Sequence, residues 1–183
     1  MTKTQQKQVT LPGNPDLPSS KETFVRLAAL EKDSYKYSVR DFFAKPQQSS
    51  FLLSPNGRYF SYRQKDDMGK NHVYVKDLNT GKTTQVIEEK EELVRGYYWA
   101  NDKRLIYIQD KGGNENFHLF GMDIDGSNCK ALTPFEDARI NLGIESLKED
   151  PDHIIVSINK ENPQIFEPFK LNINTGELFK LFE

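Results

Sequence analysis

Residues 96–137 read GYYWANDKRLIYIQDKGGNENFHLFGMDIDGSNCKALTPFED and contain four short apolar runs, each followed by a polar turn. The runs are rich in β-branched and aromatic residues, and they alternate in polarity as half-buried strands do. Asn, Asp and Gly lie between the runs and close tight hairpins, because Asx side chains bond the local backbone and glycine adopts positive φ freely. The stretch therefore predicts one four-stranded antiparallel sheet.

The same pattern occurs on both sides of this stretch. It predicts three sets of four strands: 50–54, 59–63, 72–77 and 83–87; 95–100, 104–110, 118–124 and 129–133; 140–146, 153–160, 167–173 and 178–182. Two turns recur in every set. Between the first and second strands the sequence is SPNGR (54–58), ANDKR (100–104) or EDPDH (149–153), and between the third and fourth it is DLNTG (77–81), DIDG (123–126) or NINTG (172–176). The second turn is spaced by 46 and 49 residues. A repeat of roughly 40–50 residues with four strands has the size of a β-propeller blade.

The predicted fold class is all-β, a partial β-propeller of about three four-stranded antiparallel blades, WD40-like or TolB-like. We place the blades at about 50–88, 93–134 and 139–183, within a domain of residues 37–183. Residues 1–36 are expected to form a flexible leader that contains one short helix, 19–32, with a capping box of Ser19 and Glu22. A second helical turn is expected at 39–44, ended by Pro46.

Composition excludes several classes of function. A formal net charge of -2 and a pI of about 6.0 give no electrostatic reason to expect nucleic acid or an anionic membrane as partner. The single cysteine, Cys129, excludes an internal disulfide framework and a zinc cluster of cysteines. The N-terminal residues hold no apolar core of a signal peptide and the sequence no membrane-spanning run, so we expect a cytoplasmic protein.

Three blades do not complete a propeller. Closed rings typically have about four to eight blades, and an incomplete ring leaves two apolar blade faces without a neighbour. We therefore expect either that the chain is a piece of a longer polypeptide or that it closes its ring with other copies or a partner.

No motif predicts a catalytic, cofactor-binding or metal-binding residue. The histidines, His72, His118 and His153, are far apart and have no recognisable nucleophile beside them, so structural or surface roles are expected. The acidic turn at Asp123 has Pro134 at the position where a calcium loop needs a bidentate Glu, so it predicts a hairpin. The sequence also lacks the serine nucleophile elbow, the phosphate loop and the dinucleotide fingerprint.

The glycine-rich loop at 112–116 provides the only candidate binding residues, Glu115 and Asn116. The loop joins two predicted strands at one rim of the middle blade, where these side chains could contact a ligand or an adjoining domain. Alternatively, they tie the loop to the neighbouring blade. For the aromatic residues of this blade, packing between blades is expected rather than a stacking platform for sugars or bases.

Several segments together resemble the N-terminal propeller of the prolyl oligopeptidase (S9) family of serine peptidases, most closely its dipeptidyl aminopeptidase/acylaminoacyl peptidase branch. They are RDFFAKP (40–46), FLLSPNGRYFSY (51–62), RGYYWANDKRLIYIQDKGGNENFHLFGMDIDG (95–126), LTPFED (132–137) and DPDHIIVSINKENPQIFEPFKLNINTGEL (150–178). The turns SPNGR and DIDGSNCKALT are also shared with TolB-like propellers. The resemblance covers about residues 37–183.

The resemblance implies that catalysis takes place in a domain outside this chain. In the family, the propeller covers an α/β-hydrolase domain and restricts access to short peptides, and the Ser, Asp and His triad lies in that domain. No part of the hydrolase domain matches this chain, so no catalytic residue is carried over. The expected role is a propeller segment that gates peptide access, with the catalytic domain and peptide substrates as partners. The alternative is a non-enzymatic TolB-like binding module that closes its ring by self-association or with a partner chain.

Overall fold

The computed structural model describes residues 20–30, 36–37 and 39–182, and it divides the chain into two compact units, Met1–Lys45 and Pro46–Glu183. In the first unit, α1 spans Lys21–Leu30 and α2 spans Val39–Phe43. The Ser20 hydroxyl accepts a hydrogen bond from the Thr23 N–H at 3.2 Å, so Ser20 is the N-cap of α1. The predicted cap, Ser19, and the predicted end of the helix, residues 31–32, lie outside the described residues.

The second unit consists of twelve strands in three antiparallel sheets, each in sequence order, which we number blades 1 to 3. Blade 1 holds β1 (Gln48–Leu53), β2 (Tyr59–Lys65), β3 (Asn71–Asp77) and β4 (Thr83–Ile87). Blade 2 holds β5 (Gly96–Asn101), β6 (Arg104–Gln109), β7 (His118–Asp123) and β8 (Lys130–Ala131). Blade 3 holds β9 (Ile140–Ser146), β10 (His153–Asn162), β11 (Ile165–Asn172) and β12 (Leu178–Lys180). All twelve predicted strands are present, and the predicted three-blade architecture is confirmed.

Strand β8 is shorter than the predicted strand at 129–133. It pairs with β7 at only two residues, Lys130 and Ala131. Beyond them, the hydroxyl of Thr133 accepts a hydrogen bond from the Leu119 N–H at 2.8 Å. A side chain here takes the place of a strand carbonyl, and the chain turns away from the sheet toward blade 3.

The predicted alignment of the first turns is wrong by one residue in blade 1. Tyr59 pairs with Asp77, whereas Arg104 pairs with the equivalent Asp123. Tyr59 and not Arg58 therefore corresponds to Arg104. The turn of blade 1 holds one more residue, and its Gly57 adopts a φ of 70°.

Two hydrophobic cores lie between the sheets. The first junction, between blades 1 and 2, buries Val73, Val75, Val86, Ile87, Val94, Tyr97, Trp99, Leu105, Tyr107 and Met122. The second junction, between blades 2 and 3, buries Ala100, Ile106, Ile108, Leu119, Leu132, Ala138, Ile140, Ile154, Val156, Ile158, Phe169, Leu171 and Ile173. Blade 2 thus lies between two apolar layers, and β6 alternates between them: Leu105 and Tyr107 belong to the first, Ile106 and Ile108 to the second.

The loops between strands lie at two opposite edges of the sheets. The hairpin rim carries the tight turns that follow the first and third strands of each blade. It also carries bonds between blades: the Asn56 N–H donates to Asp102 Oδ1 at 2.8 Å, and Asn101 Nδ2 donates to the Pro151 carbonyl at 2.9 Å. The loop rim carries the connections after the second and fourth strands. Because each blade has four antiparallel strands, the chain enters and leaves every blade at the loop rim.

Candidate functional site

The rim loop, residues 110–117, joins β6 to β7 at the loop rim and is anchored by Asp110. The Asp110 carboxylate is 2% exposed and accepts a hydrogen bond from the Glu115 N–H at 3.1 Å. Arg95, which directly precedes β5, donates to it from Nε at 3.4 Å. Burial raises the pKa of Asp110, but the hydrogen bonds and the Arg95 charge outweigh burial and hold the pKa below its ordinary value. Asp110 is therefore an ionised anchor.

A second carboxylate fixes the tip of the rim loop. Both oxygens of Glu92 lie 2.9 Å from the Gly112 N–H. Gly112 and Gly113 have φ values of 62° and 74°, a region where glycine carries no steric penalty. Glu92 belongs to the connection between blades 1 and 2, so the rim loop is held by the segment that precedes it.

The two predicted binding residues lie side by side on this loop. Glu115 is exposed and has a φ of 61°, unusual for a residue other than glycine, and its carbonyl accepts a hydrogen bond from the Phe117 N–H at 3.1 Å. The Asn116 N–H donates to Asn114 Oδ1 at 3.0 Å. Within the described residues, the Glu115 carboxylate has no hydrogen-bond or ion-pair partner. The backbone is thus tied down while the carboxylate points to solvent, an arrangement suited to contact with another molecule.

Arg95 is a residue of this rim that the sequence interpretation missed. Its side chain is 41% exposed, and its guanidinium lies 5.8 Å from the centre of the Phe117 ring. Arg139, which directly precedes β9, lies in the same way over Phe166 at 5.5 Å. Phe117 and Phe166 are 49 residues apart, the spacing of the repeat, so the repeat itself was the signal that could have revealed this pair.

A cavity of about 500 Å³ lies beside the rim loop. His118 and Phe120 of β7 line it together with the segment that follows β8. The lining residues are Glu92, Gln109, Asp110, Lys111, Asn114, His118, Phe120, Ala131, Pro134, Phe135 and Glu136. A cavity lined by both apolar and charged side chains can bind a side chain, but it holds no nucleophile paired with a base.

The three histidines bond within their own blades. His72 accepts the Glu89 N–H at Nδ1 over 3.1 Å and contacts Asp66 through Nε2 at 3.2 Å. His118 donates from Nδ1 to the Thr133 carbonyl at 2.6 Å, and His153 donates from Nδ1 to Asp150 at 2.7 Å. These contacts tie loops and strand ends together.

The acidic turn of blade 2 is a hairpin, as its sequence predicts. Asp123 forms an ion pair with Arg104, and its second oxygen accepts a hydrogen bond from Asn128 at 2.7 Å. Cys129 is exposed, with its sulfur 3.4 Å from the Tyr107 hydroxyl, so it lies at the sheet edge. Across the described ranges, no three His, Cys, Asp or Glu side chains gather as a metal site would require.

The aromatic residues of blade 2 mostly pack between blades. Tyr97, Trp99 and Tyr107 are buried in the first junction, and Phe120 packs against the same core. Burial and the neighbouring Cys129 raise the pKa of the Tyr107 hydroxyl, so this phenol stays neutral. No helix among the described residues is both long and apolar enough to cross a membrane.

Comparisons with known proteins connect this architecture to peptidases. No family model matches the chain. Over 136 residues it is 29% identical to dipeptidyl aminopeptidase BIII of Pseudoxanthomonas mexicana, which covers 73% of this chain and 19% of that protein. Over 142 residues it is 25% identical to dipeptidyl peptidase family member 6 of Caenorhabditis elegans, covering 74% and 19%. The chain thus spans about a fifth of the length of the curated relatives it matches.

A solved structure agrees on the fold. The β-propeller domain of the Trilobed protease from Pyrococcus furiosus superposes with a TM-score of 0.50 at 18% identity, over 75% of this chain and 44% of that one. The three sheets are therefore blades of a β-propeller. In sequence and in fold, the chain is similar to the propeller region of the prolyl oligopeptidase (S9) family of serine peptidases.

Proposed function

We propose that this chain is the propeller segment of an S9-type serine peptidase and that it controls which peptides reach a separate α/β-hydrolase domain. The observation that carries the proposal is the similarity to a dipeptidyl aminopeptidase over 136 residues, which covers most of the three blades. The described residues hold no paired nucleophile and base, so the segment contributes admission of substrate rather than bond cleavage.

The topology supports the loop rim as the working surface. The chain enters and leaves each blade at this rim, so a catalytic domain joined to the propeller through the polypeptide is connected there. The rim loop, with Glu115 exposed on a fixed backbone and Arg95 beside it, then lies between the propeller and that domain. Charged groups held rigidly at such an entrance can bind or repel a peptide as it passes.

The proposal makes a simple prediction for the chain by itself. We expect no hydrolysis of a dipeptidyl p-nitroanilide by the purified 183-residue chain. An immunoblot of source cells should show a polypeptide several times heavier than 21.2 kDa. Cleavage by the chain alone, with contaminants excluded, would overturn the proposal.

The gating role needs a second experiment in the polypeptide that carries the hydrolase domain. Glu115→Ala should change the ratio of kcat/KM between short and long peptides by a few-fold, because one exposed charge typically contributes ~1 kcal/mol or less. Glu177→Ala removes a carboxylate of the hairpin rim that is also exposed and should leave the ratio unchanged. Equal effects of the two substitutions would show that the rim loop does not select peptides.

A TolB-like binding module remains the second candidate, and two exposed apolar side chains of β1 favour it, since Phe51 is 53% and Leu53 61% exposed. Such a module would complete its ring with copies of itself or with a partner chain. An immunoblot band at 21.2 kDa together with one defined closed oligomer in solution would support this candidate over the peptidase.

A further inference from the structure

A groove lies at the edge of blades 1 and 2, between β4 of the first and the strands β6 and β7 of the second. Its larger part is a cavity of about 690 Å³, which shares Glu92 and Gln109 with the cavity of about 500 Å³ at the rim loop. We call the two cavities together the edge groove. The larger cavity is lined by Gln85, Val86, Ile87, Glu88, Lys90, Glu91, Glu92, Tyr107, Gln109, Met122, Asp125, Gly126 and Cys129.

The edge groove extends from one rim of the sheets to the other. Asp125 and Gly126 line it at the hairpin rim, and Asn114 and Glu136 line it at the loop rim. Between the rims it follows β7, which has six residues. A strand of this length spans about 20 Å, so the groove can hold an extended segment of similar length.

Apolar side chains line both parts of the edge groove. They are Val86, Ile87, Tyr107 and Met122 in the larger cavity and Phe120, Ala131, Pro134 and Phe135 in the smaller one. Binding sites for small molecules and peptides commonly combine such a lining with a few polar groups. An occupant of the edge groove therefore needs apolar side chains of its own.

Carboxylates outnumber ammonium groups in the edge groove. Glu88 forms an ion pair with Lys90 at 3.3 Å, and Asp110 forms one with Arg95 at 3.4 Å. Among the described residues, the remaining charged groups of the lining have no ion-pair partner, and they are Glu91, Glu92, Asp125 and Glu136 against Lys111. The whole chain has a formal net charge of only -2, so this negative charge is a local feature.

The corresponding place in the second junction has a different charge. Asn174 of blade 3 occupies the turn position of Asp125, and it lines a cavity of about 340 Å³ together with Arg104, Asp123 and Lys130. Asp123 is paired with Arg104 there, which leaves the Lys130 ammonium as the unpaired charge. The packing of one blade on the next therefore does not require carboxylates at this place.

From its length, its apolar lining and its charge, we infer that the edge groove binds a basic, partly apolar segment of another protein in extended form. Lysine and arginine suit this site because their aliphatic stems pack on apolar groups while their charged ends reach carboxylates. Most of the groove lies between the two rims, away from the loop rim where the proposed function places the catalytic domain. The occupant is therefore a partner segment and not a substrate. The inference goes beyond the proposed function, because such binding needs no hydrolysis.

The test uses a synthetic probe, acetyl-Lys-Val-Arg-Phe-Lys-Val-amide, whose capped ends carry no charge. Isothermal titration calorimetry with the purified chain at low salt should show saturable binding of one peptide per chain. The Kd should rise with added salt, because exposed charges are screened. A peptide with Glu in place of Lys and Arg should not bind. A peptide with Ser in place of Val and Phe should bind at least about tenfold more weakly.

A pair of charge reversals locates the binding site on the protein. Glu91→Lys combined with Glu136→Lys changes two exposed carboxylates of the edge groove and should raise the Kd at least about tenfold. The matched control, Glu149→Lys combined with Glu177→Lys, changes the net charge equally at exposed positions of the hairpin rim outside the groove. It should change the Kd by less than about twofold. Circular dichroism and a cooperative thermal transition verify that both variants fold.

Several results would overturn the inference. They are the absence of saturable binding, equal binding of the acidic peptide, and equal effects of the two double variants. In each case the edge groove would not be a site for basic segments.

A final comparison separates a partner segment from a substrate. In the polypeptide that carries the hydrolase domain, saturating probe should affect hydrolysis of a dipeptidyl p-nitroanilide equally with and without the Glu91→Lys and Glu136→Lys substitutions. Inhibition that these substitutions relieve would place the groove on the path of the substrate and overturn the assignment to a partner. The calorimetry involves no hydrolysis, so its failure is distinguishable from failure of the peptidase proposal.

Discussion

The two junctions of this protein have the same blade geometry but different chemistry. The second junction is mostly aliphatic, built from leucine, isoleucine, valine and alanine with Phe169. The first junction buries polar groups among its apolar side chains. Trp99 Nε1 donates to the Ser61 hydroxyl at 2.9 Å, and the Tyr97 hydroxyl donates to the Ser50 carbonyl. In both junctions, one sheet packs face to face on the next.

The polar character of the first junction continues to the loop rim. Glu89 is 3% exposed, and its carboxylate accepts hydrogen bonds from the Asn71 N–H at 3.1 Å and the Val94 N–H at 2.9 Å. Burial of apolar area stabilises without regard to direction, whereas a buried polar group is costly unless one specific partner is in place. The second junction therefore relies mainly on apolar burial, and the buried Arg104 donates from Nε to the Ile173 carbonyl at 2.9 Å at its edge, whereas the first junction carries polar bonds within its core.

The largest expected effect comes from a cavity in the aliphatic junction. Leu119→Ala removes a fully buried side chain and should lower the free energy of unfolding by about 2–5 kcal/mol. The matched control, Leu53→Ala, acts on an exposed leucine and should change it by about 0.5 kcal/mol or less. Urea unfolding followed by tryptophan fluorescence measures both. Similar losses for the two variants would mean that the second junction is not the main source of stability.

A smaller effect, of a different kind, is expected in the polar junction. Ser61→Ala leaves the buried Trp99 N–H without its acceptor and should cost about 1–3 kcal/mol. Trp99→Phe removes the donor, so the double variant should lose less than the sum of the two single variants. The double-mutant cycle in urea, followed by circular dichroism because the only tryptophan is replaced, gives the coupling energy. Additive losses would show that the hydrogen bond does not couple the blades.

Sequence patterns predicted the parts of the structure that depend on local chemistry. The alternation of polarity placed all twelve strands, and the Asx and glycine turns revealed the repeat. The extra residue in the first turn of blade 1 was missed, because SPNGR and ANDKR look alike until strand pairing sets Tyr59 opposite Asp77.

The supports of the candidate site were not predictable in the same way. Arg95 and Asp110 are 15 residues apart, and Glu92 and Gly112 are 20 apart. Such pairs form only after the sheets have assembled, and any of several acidic residues near the loop could have been the partner. Glu115 and Asn116 were predicted as binding candidates because their place on a rim loop follows from the repeat; Glu115 is exposed and Asn116 half-buried.

The smallest expected effect is a pH dependence at the loop rim of blade 1, beside the first junction. The pKa of Asp66 is lowered, foremost by the hydrogen bond from the Lys70 N–H and also by those from Met68 and His72. A lowered pKa in the folded state means that this carboxylate stabilises the fold above its ordinary pKa of 3.8 and that the contribution is lost as pH falls through the lowered value. His72 joins Asp66 to the backbone N–H of Glu89, so protonation of Asp66 should weaken the loop rim of blade 1, where Glu89 supports the polar junction.

The urea concentration at the unfolding midpoint, measured between pH 6 and pH 2.5, tests this pH dependence. Asp66→Asn should lower the midpoint at neutral pH by a small amount, and the gap to wild type should close as the wild-type carboxylate becomes protonated. Asp67→Asn changes the exposed neighbouring residue and should leave the pH profile unchanged. If the two midpoints still differ at pH 2.5, the lower stability of Asp66→Asn comes from changed hydrogen-bond geometry and not from the lost charge of Asp66. The support that Asp66 gives to the loop rim beside the polar junction would then be one of geometry and not of charge.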